Sequence, residues 1–308
     1  MNMRIVITGG TGFVGKWLVK EIAQHHNEVI LLTIDENDKP IEFNHLVNIK
    51  YVVCPLDKLE TIDSNEISDK QVDVFMHLAW VGTSGVTRSD EDIQINNVKY
   101  ACAAVKLAKK LGVRRFINAG SIMEYEAFYT LSSNRAVPST MMYSVAKLSQ
   151  DFFSKTLCNK LEMEYINIVI GNIYGVGEKS QRFINVMAKK MMKNERVELT
   201  ECMQKYDFIY ASDAARAVYL VIEKGVNNNS YYIGNSEPTI LKEYVLEMKR
   251  ILNSNSEIVF GAVPFTNVAL SYQEFDMAKL KRELGFIPET SFEKGITMMK
   301  EWLLNEEF

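Results

Sequence analysis

The chain has 308 residues, 47% of them hydrophobic and 24% charged, with 16 glycines and 6 prolines, which excludes disordered, collagen-like and repeat architectures and leaves room for about two domains. A formal charge of −4, from 35 Lys and Arg against 39 Asp and Glu, lacks the basic excess of a nucleic-acid or anionic-membrane partner. Cys54, Cys102, Cys158 and Cys202 are scattered without a C-x-x-C pair, so no disulfide framework and no metal site is expected, and the absence of a long apolar run or signal-like N-terminus predicts a reduced, cytoplasmic protein.

Short β-branched runs alternate with helical periods through the first half, the order that builds βαβ units and a parallel sheet. Strands are predicted over Arg4 to Ile7, Val29 to Thr33, Tyr51 to Val53, Val72 to Leu78, Arg115 to Ala119 and Tyr165 to Ile170. Val14, Trp17, Leu18 and Ile22 fall at helical spacing, as do Val98, Ala101, Cys102, Val105 and Ala108. Beyond residue 170 polar loops alternate with helices, and Ser212 to Glu223 followed by Ser230 to Gly234 reads as a return to the sheet. The expected organisation is a doubly wound parallel sheet over residues 1–171, rejoined by 206–234, with a smaller substrate-binding lobe from 172–205 and 235–308.

The strongest local signal is Thr8-Gly9-Gly10-Thr11-Gly12-Phe13-Val14-Gly15, between the first strand and the first helix. Glycines at a spacing of three permit a tight turn, close approach of backbone N–H groups to a pyrophosphate, and close packing of helix on strand. The helix N-terminus adds partial positive charge, so a Rossmann-type dinucleotide site for NAD(P) is expected. The acidic residue that normally selects NAD is not placed cleanly: Asp35 lies two residues past the second strand and serves either a ribose or its own loop, and Lys39 is the nearest cation, leaving NAD and NADP both open. Asp57, after the third strand, is a candidate for the adenine amino group or a plain turn residue.

Tyr143 and Lys147 are four residues apart, on one face of a helix. An ammonium beside a phenol favours the phenolate, bringing a group that normally titrates near ~10 toward general acid–base duty. Ser121, at the carboxyl end of a predicted strand, lies where open α/β sheets bind ligands and can polarise a carbonyl.

These motifs, with His77-Leu78-Ala79-Trp80, Asn96-Asn97-Val98, Gly120-Ser121, Asn172-Ile173-Tyr174-Gly175 and Tyr206-Asp207-Phe208-Ile209-Tyr210, stand in the order seen in extended short-chain dehydrogenases/reductases. The chain resembles the NAD-dependent epimerase/dehydratase branch acting on nucleotide sugars. That resemblance implies that Ser121, Tyr143 and Lys147 are catalytic. It places Gly9, Thr11, Gly12, Phe13, Val14, Gly15, Asp35, Asp57, Leu78, Ala79, Trp80, Asn97, Ala119 and Lys147 on the cofactor, with Ser121, Met123, Glu124, Asn172, Arg182 and Tyr206 on the substrate. It also implies a homodimer built on the helices Asn97 to Leu111 and Tyr143 to Leu161.

Two departures shape the expected activity. Dehydratases of this kind carry Asp-Glu after the active-site hydroxyl residue; Ile122 and Met123 stand there and neither transfers a proton. The Met123-Glu124-Tyr125 turn that follows is similar to certain 4-ketoreductases of deoxysugar nucleotides. Tyr206 replaces the Arg often found before Asp-Phe-Ile, which leaves Arg182 as the candidate for a bidentate diphosphate contact. The expectation is an NAD(P)H-dependent reductase of a 4-keto-6-deoxy sugar nucleotide serving surface-glycan synthesis. The alternatives are a nucleotide-sugar epimerase, a carbonyl reductase of a non-nucleotide ketone, and a non-enzymatic cofactor sensor.

Overall fold

A computed structural model of the chain describes residues 2–133, 136–265 and 271–306. Two compact units emerge, one from Met1–Ile170 with Ala215–Tyr232 and one from Gly171–Ala214 with Ile233–Phe308. In chain order the elements are β1 (Arg4–Thr8), α1 (Phe13–Gln24), β2 (Glu28–Thr33), β3 (Ile49–Val53), α2 (Ser64–Ile67), β4 (Val74–His77), α3 (Glu91–Lys110), β5 (Arg115–Ser121), α4 (Met123–Ser132), α5 (Met142–Lys160) and β6 (Glu164–Ile170). There follow β7 (Asn172–Tyr174), α6 (Phe183–Met192), β8 (Val197–Glu198), β9 (Lys205–Tyr206), β10 (Phe208–Tyr210), α7 (Ala211–Lys224), β11 (Ser230–Ile233), β12 (Thr239–Ile240), α8 (Leu241–Leu252), β13 (Ile258–Val259), α9 (Lys279–Leu284) and α10 (Phe292–Asn305).

The first unit is a seven-stranded sheet in the order β11-β6-β5-β4-β1-β2-β3, with parallel register from β6 through β3. Strand order reverses between β1 and β4, so the loops after these two strands diverge and open the crevice where such sheets take ligands. Under α3 and α5 the sheet presents an apolar row: Val6 pairs with Phe75, Phe75 with Phe116 and Phe116 with Tyr165. Phe75 and Phe116 stack at 5.6 Å. Ala104 and Ala108 bring α3 close to this core, and both are fully buried. Burial of this kind, at roughly 25 cal/mol per Å² of apolar surface, is what holds the helices on the sheet. Asp90 caps α3 by accepting from Ile93 N–H at 2.9 Å, with acids in the first turn and lysines in the last to complement the helix dipole.

Two residues further along the same strands the row becomes polar. Thr8 pairs with His77, His77 with Asn118 and Asn118 with Asn167, placing four hydrogen-bonding side chains across the carboxyl end of the sheet. Strand β5 runs two residues past its expected end because β6 continues to pair with it, Ser121 lying opposite Ile170. The Met123-Glu124-Tyr125 segment, expected as a turn, begins α4. Ser121 and Glu124 form the S-x-x-E pattern of a capping box, with Met123 N–H donating to Ser121 Oγ at 3.2 Å and Glu124 Oε1 accepting from Ser121 N–H at 2.8 Å.

The second unit pairs β7 with β10 in parallel. Its core is aromatic: Tyr174 meets Tyr210 edge-on at 5.5 Å, and Phe208 meets Tyr244 edge-on at 4.9 Å. Phe292 of α10 closes the cluster against Tyr244 at 4.6 Å.

Candidate active site

At the switch point Gly9 has φ +73°, and a Cβ there would lie 2.6 Å from the Ala79 nitrogen, so the turn after β1 is seated directly on the loop after β4. Gly15 is buried in α1, where a Cβ would be driven onto the Gly9 carbonyl and sit 2.7 Å from Gly10 Cα. Gly12, the N-cap of α1, has the opposite surroundings. A Cβ would find only Gly9 O, at 3.5 Å, and no side chain caps the helix. Backbone N–H groups of the first turn thus face an open cradle that a methyl group would fill, which fits the pyrophosphate of a dinucleotide. Phe13 and Val14, half-buried, continue this turn into the helix.

The polar residues near this turn divide their work. Thr11 Oγ1 donates to Asp38 Oδ2 at 3.1 Å, so Asp38 is the acid that reaches the glycine turn. Asp35 accepts from the N–H groups of Asn37 and Asp38 at 2.7 and 3.1 Å, closing its own loop. Lys39 lies over the Tyr51 ring at 5.6 Å, and Asp57 stands exposed on the single turn after β3.

In the loop after β4, Leu78 N–H donates to Thr8 O at 3.2 Å and Ala79 N–H to Thr8 Oγ1 at 3.3 Å. Trp80 Nε1 donates to Gln94 Oε1 at 3.0 Å. Asn97, expected on the cofactor, commits both ends of its amide to Val81, accepting from its N–H at 3.0 Å and donating to its carbonyl at 2.8 Å. It shapes the loop. His77, fully buried, pairs through Nδ1 with Thr8 Oγ1 at 2.8 Å, and burial lowers its pKa to about 3, so the ring is neutral.

Tyr143 occupies the first turn of α5, whose N-terminus carries no acidic residue. Its ring meets Trp80 edge-on at 5.8 Å, and the Arg88 guanidinium lies over it at 4.4 Å. One turn on, Lys147 Nζ donates to Ala119 O at 2.8 Å and to Gln150 Oε1 at 3.1 Å, and lies 3.7 Å from the Trp80 ring centre. Two of its three N–H donors are used within the protein. Lys147 is 4% exposed, and burial lowers its pKa. Ser121 ends β5 with its hydroxyl oxygen occupied on the acceptor side by Met123 N–H, which leaves the O–H proton to donate outward.

Glu124, expected on the substrate side, is 3% exposed and lies beneath Ser121. Besides Ser121 N–H it accepts from Asn167 Nδ2 at 3.2 Å. Burial and the nearby Asp151 carboxylate raise its pKa. Gly120 makes this arrangement possible, because a Cβ there would lie 2.7 Å from Asn167 Nδ2 and crowd the Glu124 carboxyl.

The glycine cradle, the Tyr143–Lys147 helix face and Ser121 at the carboxyl end of β5 therefore belong to one compact unit. A model of the NAD dependent epimerase/dehydratase family matches residues 5–234. The chain belongs to this family. Among its relatives are a CDP-abequose synthase of Salmonella muenchen, 25% identical over 302 residues and covering 97% of each chain. A dTDP-4-dehydro-6-deoxyglucose reductase of Escherichia coli is 25% identical over 305 residues, covering 95% of each. The crystal structure of a UDP-glucose 4-epimerase from Thermotoga maritima shares the fold, with a TM-score of 0.79 at 22% identity over 99% of each chain.

The matched residues extend from the first unit into the second, where the other expected substrate residues lie. Asn172 Nδ2 donates to Asp207 O and Tyr272 Oη, both at 3.4 Å. Arg182 pairs with the buried Glu178 at 3.7 Å, and Tyr206 stacks on Phe208 at 5.5 Å. Sequence reasoning missed Asp38, Arg88 and Gln150. The Asp35-x-Asn37 spacing of an Asx turn points away from Asp35 and so toward Asp38. The i, i+3 spacing of Lys147 and Gln150 signals that contact. Arg88 carries no local signature. Among the described residues, no helix is long and apolar enough to cross a membrane.

Proposed function

We propose that this member of the family is an NAD(P)H-dependent reductase of a 4-keto-6-deoxy sugar nucleotide. One observation carries the reading. Beside the Ser121, Tyr143 and Lys147 group, the positions where a dehydratase needs its acid–base pair hold Ile122 and Met123. The next carboxyl, Glu124, is turned under Ser121 and held by Asn167. A site with one proton donor and one carbonyl-polarising hydroxyl suits reduction, which needs no second acid–base pair. The two named relatives, one a 4-dehydro-6-deoxyglucose reductase, support the same substrate class.

Gly9, Gly12 and the α1 N-terminus would hold a dinucleotide through its pyrophosphate and the remaining Lys147 donor would hold its ribose, and the bound nicotinamide would supply the hydride. The protein supplies the rest. Ser121 donates a hydrogen bond to the carbonyl oxygen and draws charge onto it, keeping its own proton. Tyr143 delivers the proton that completes the alcohol. The negative charge left on its oxygen is offset by Arg88 over the ring and by the positive end of α5, in whose first turn Tyr143 stands. Asn172, Arg182 and Tyr206 are assigned to the sugar nucleotide.

A homodimer is part of the proposal. Met142, Val145, Phe152 and Phe153 recur at helical spacing along α5 and are 43–64% exposed, beside the exposed Ile95 of α3. The deciding experiment follows NADH or NADPH absorbance with a 4-keto-6-deoxy sugar nucleotide. Stoichiometric oxidation with a 4-hydroxy product supports reduction. An isomerised product without net cofactor loss identifies an epimerase instead.

A further inference from the structure

Glu124 does something a substrate contact does not. It sits at the meeting point of β5, α4, α5 and β6, among polar and charged groups from these elements. From β5 the Ser121 N–H donates to Oε1; from β6 the Asn167 amide donates to Oε2 and Tyr165 lies two residues below; from α5 come Lys147 and Asp151. Asp151 is itself bonded by Tyr165 Oη at 2.6 Å, with Lys155 on its outer side. The far side of Glu124 borders a cavity of about 200 Å³ lined by Asp151, Leu148, Phe152 and Val169, which gives the carboxyl a path for proton exchange.

We propose that Glu124 is a positioning residue: it fixes Ser121 through the backbone N–H and, from beneath the site, its ionised form favours the ammonium form of Lys147. This rests on the assignment of Ser121, Tyr143 and Lys147 above. Two N–H donors aimed at the carboxyl favour its ionised form, as does the ammonium of Lys147, whereas burial and Asp151 oppose it. The balance makes Glu124 and Lys147 respond to each other rather than titrate alone, so the state of one sets the charge presented to Tyr143. Asn167 relays the arrangement sideways, since its Oδ1 accepts from Asn118 Nδ2 at 2.9 Å.

The test compares Glu124→Gln with the wild type. A glutamine oxygen still accepts from Ser121 N–H, while the charge is gone. Lys147 then loses its proton at lower pH, and the alkaline limb of kcat moves toward acid by roughly one unit, with KM little changed. In the cofactor-free protein, carboxyl NMR of glutamate-labelled samples should show one resonance titrating above the ordinary glutamate range that Glu124→Gln removes. A kcat profile superimposable on the wild type, or no such resonance, overturns the proposal. Substantial turnover in Tyr143→Phe overturns the underlying assignment instead, and the NMR result stands independently of it.

Discussion

Gly15→Ala should destabilise the protein even though alanine is the better helix former. In a helix interior the change by itself is worth about 0.5–1 kcal/mol in favour of alanine. The new Cβ would lie 2.7 Å from Gly10 Cα, about 0.7 Å inside the 3.4 Å at which ordinary contact begins, and would also meet the Gly9 carbonyl. Both neighbours are backbone of the turn that Ala79 seats, so α1 must move outward. Overpacking costs about 1–3 kcal/mol, and against backbone, which cannot swing aside, the upper part of that range, about 2–3 kcal/mol, applies, leaving a net loss of about 1–2.5 kcal/mol and a Tm lowered by a few degrees. Gly12→Ala makes the comparison informative. Its φ of −73° and ψ of 172° suit any residue, and its nearest neighbour would be 3.5 Å away. Folding should be unaffected or slightly stabilised, while the methyl group fills the cradle and weakens dinucleotide binding by ~10-fold or more. Calorimetry supplies both readouts, thermal unfolding and titration with NAD(P)H. An undiminished Tm in Gly15→Ala, or wild-type cofactor affinity in Gly12→Ala, would refute the assignment of packing to one glycine and phosphate approach to the other.

Tyr143→Phe should lower turnover by ~10²-fold or more with cofactor affinity largely kept, since the phenol is proposed to move a proton and its ring contacts with Trp80 and Arg88 survive; stopped-flow reduction with a keto sugar nucleotide measures it. His77 predicts a pH signature. Its folded pKa of about 3 lies below the ordinary histidine value of 6.5, so between these limits the unfolded chain binds a proton the folded one refuses, and stability falls as pH falls. From pH 6.5 to 5 the loss is about 2 kcal/mol, and His77→Gln should remove it; because Glu124 responds in the opposite sense, the difference between the two urea-denaturation series isolates His77. Phe152→Asp with Phe153→Asp should convert the proposed dimer to monomer in sedimentation velocity without loss of Tm beyond a few degrees, both side chains being more than half exposed.

The sheet was legible because its strands are near-continuous apolar runs, and runs such as Val29 to Leu32 have few other uses in a chain of this composition. The glycine turn and the Tyr143–Lys147 pair were legible because their chemistry is local: one turn of chain, one turn of helix. The end of β5 was misjudged because pairing with Ile170, on a strand far along the chain, decides it. The S-x-x-E of Ser121 and Glu124 spells a helix start that the reading as a turn passes over, and in chain order Glu124 sits where a substrate acid is expected; the burial of its carboxyl under β5 decides between the two roles. The polar row of Thr8, His77, Asn118 and Asn167 was illegible for the same reason. Thr8 and His77 end apolar runs while Asn118 and Asn167 interrupt them, and only the strand order places the four side by side.

That row locates where the fold gives up stability. Two residues earlier along the same strands and on the same face, Val6, Phe75, Phe116 and Tyr165 form an uninterrupted core, so nothing in the topology demands polar groups at this depth. Yet the fully buried His77, Glu124 and Lys147 gather at the carboxyl end, each with its ionisation displaced by desolvation. Apolar replacements of similar volume would fold more easily there. The side chains retained at this cost converge on Ser121 and the face of α5 that carries Tyr143: Lys147 through Ala119 O, Glu124 through Ser121 N–H, and Asn118 through Asn167 to Glu124. Desolvated charge concentrated at one end of one sheet, and linked by hydrogen bonds to the proposed proton donors, is the physical reason to place the chemistry there rather than at any other concave surface of the molecule.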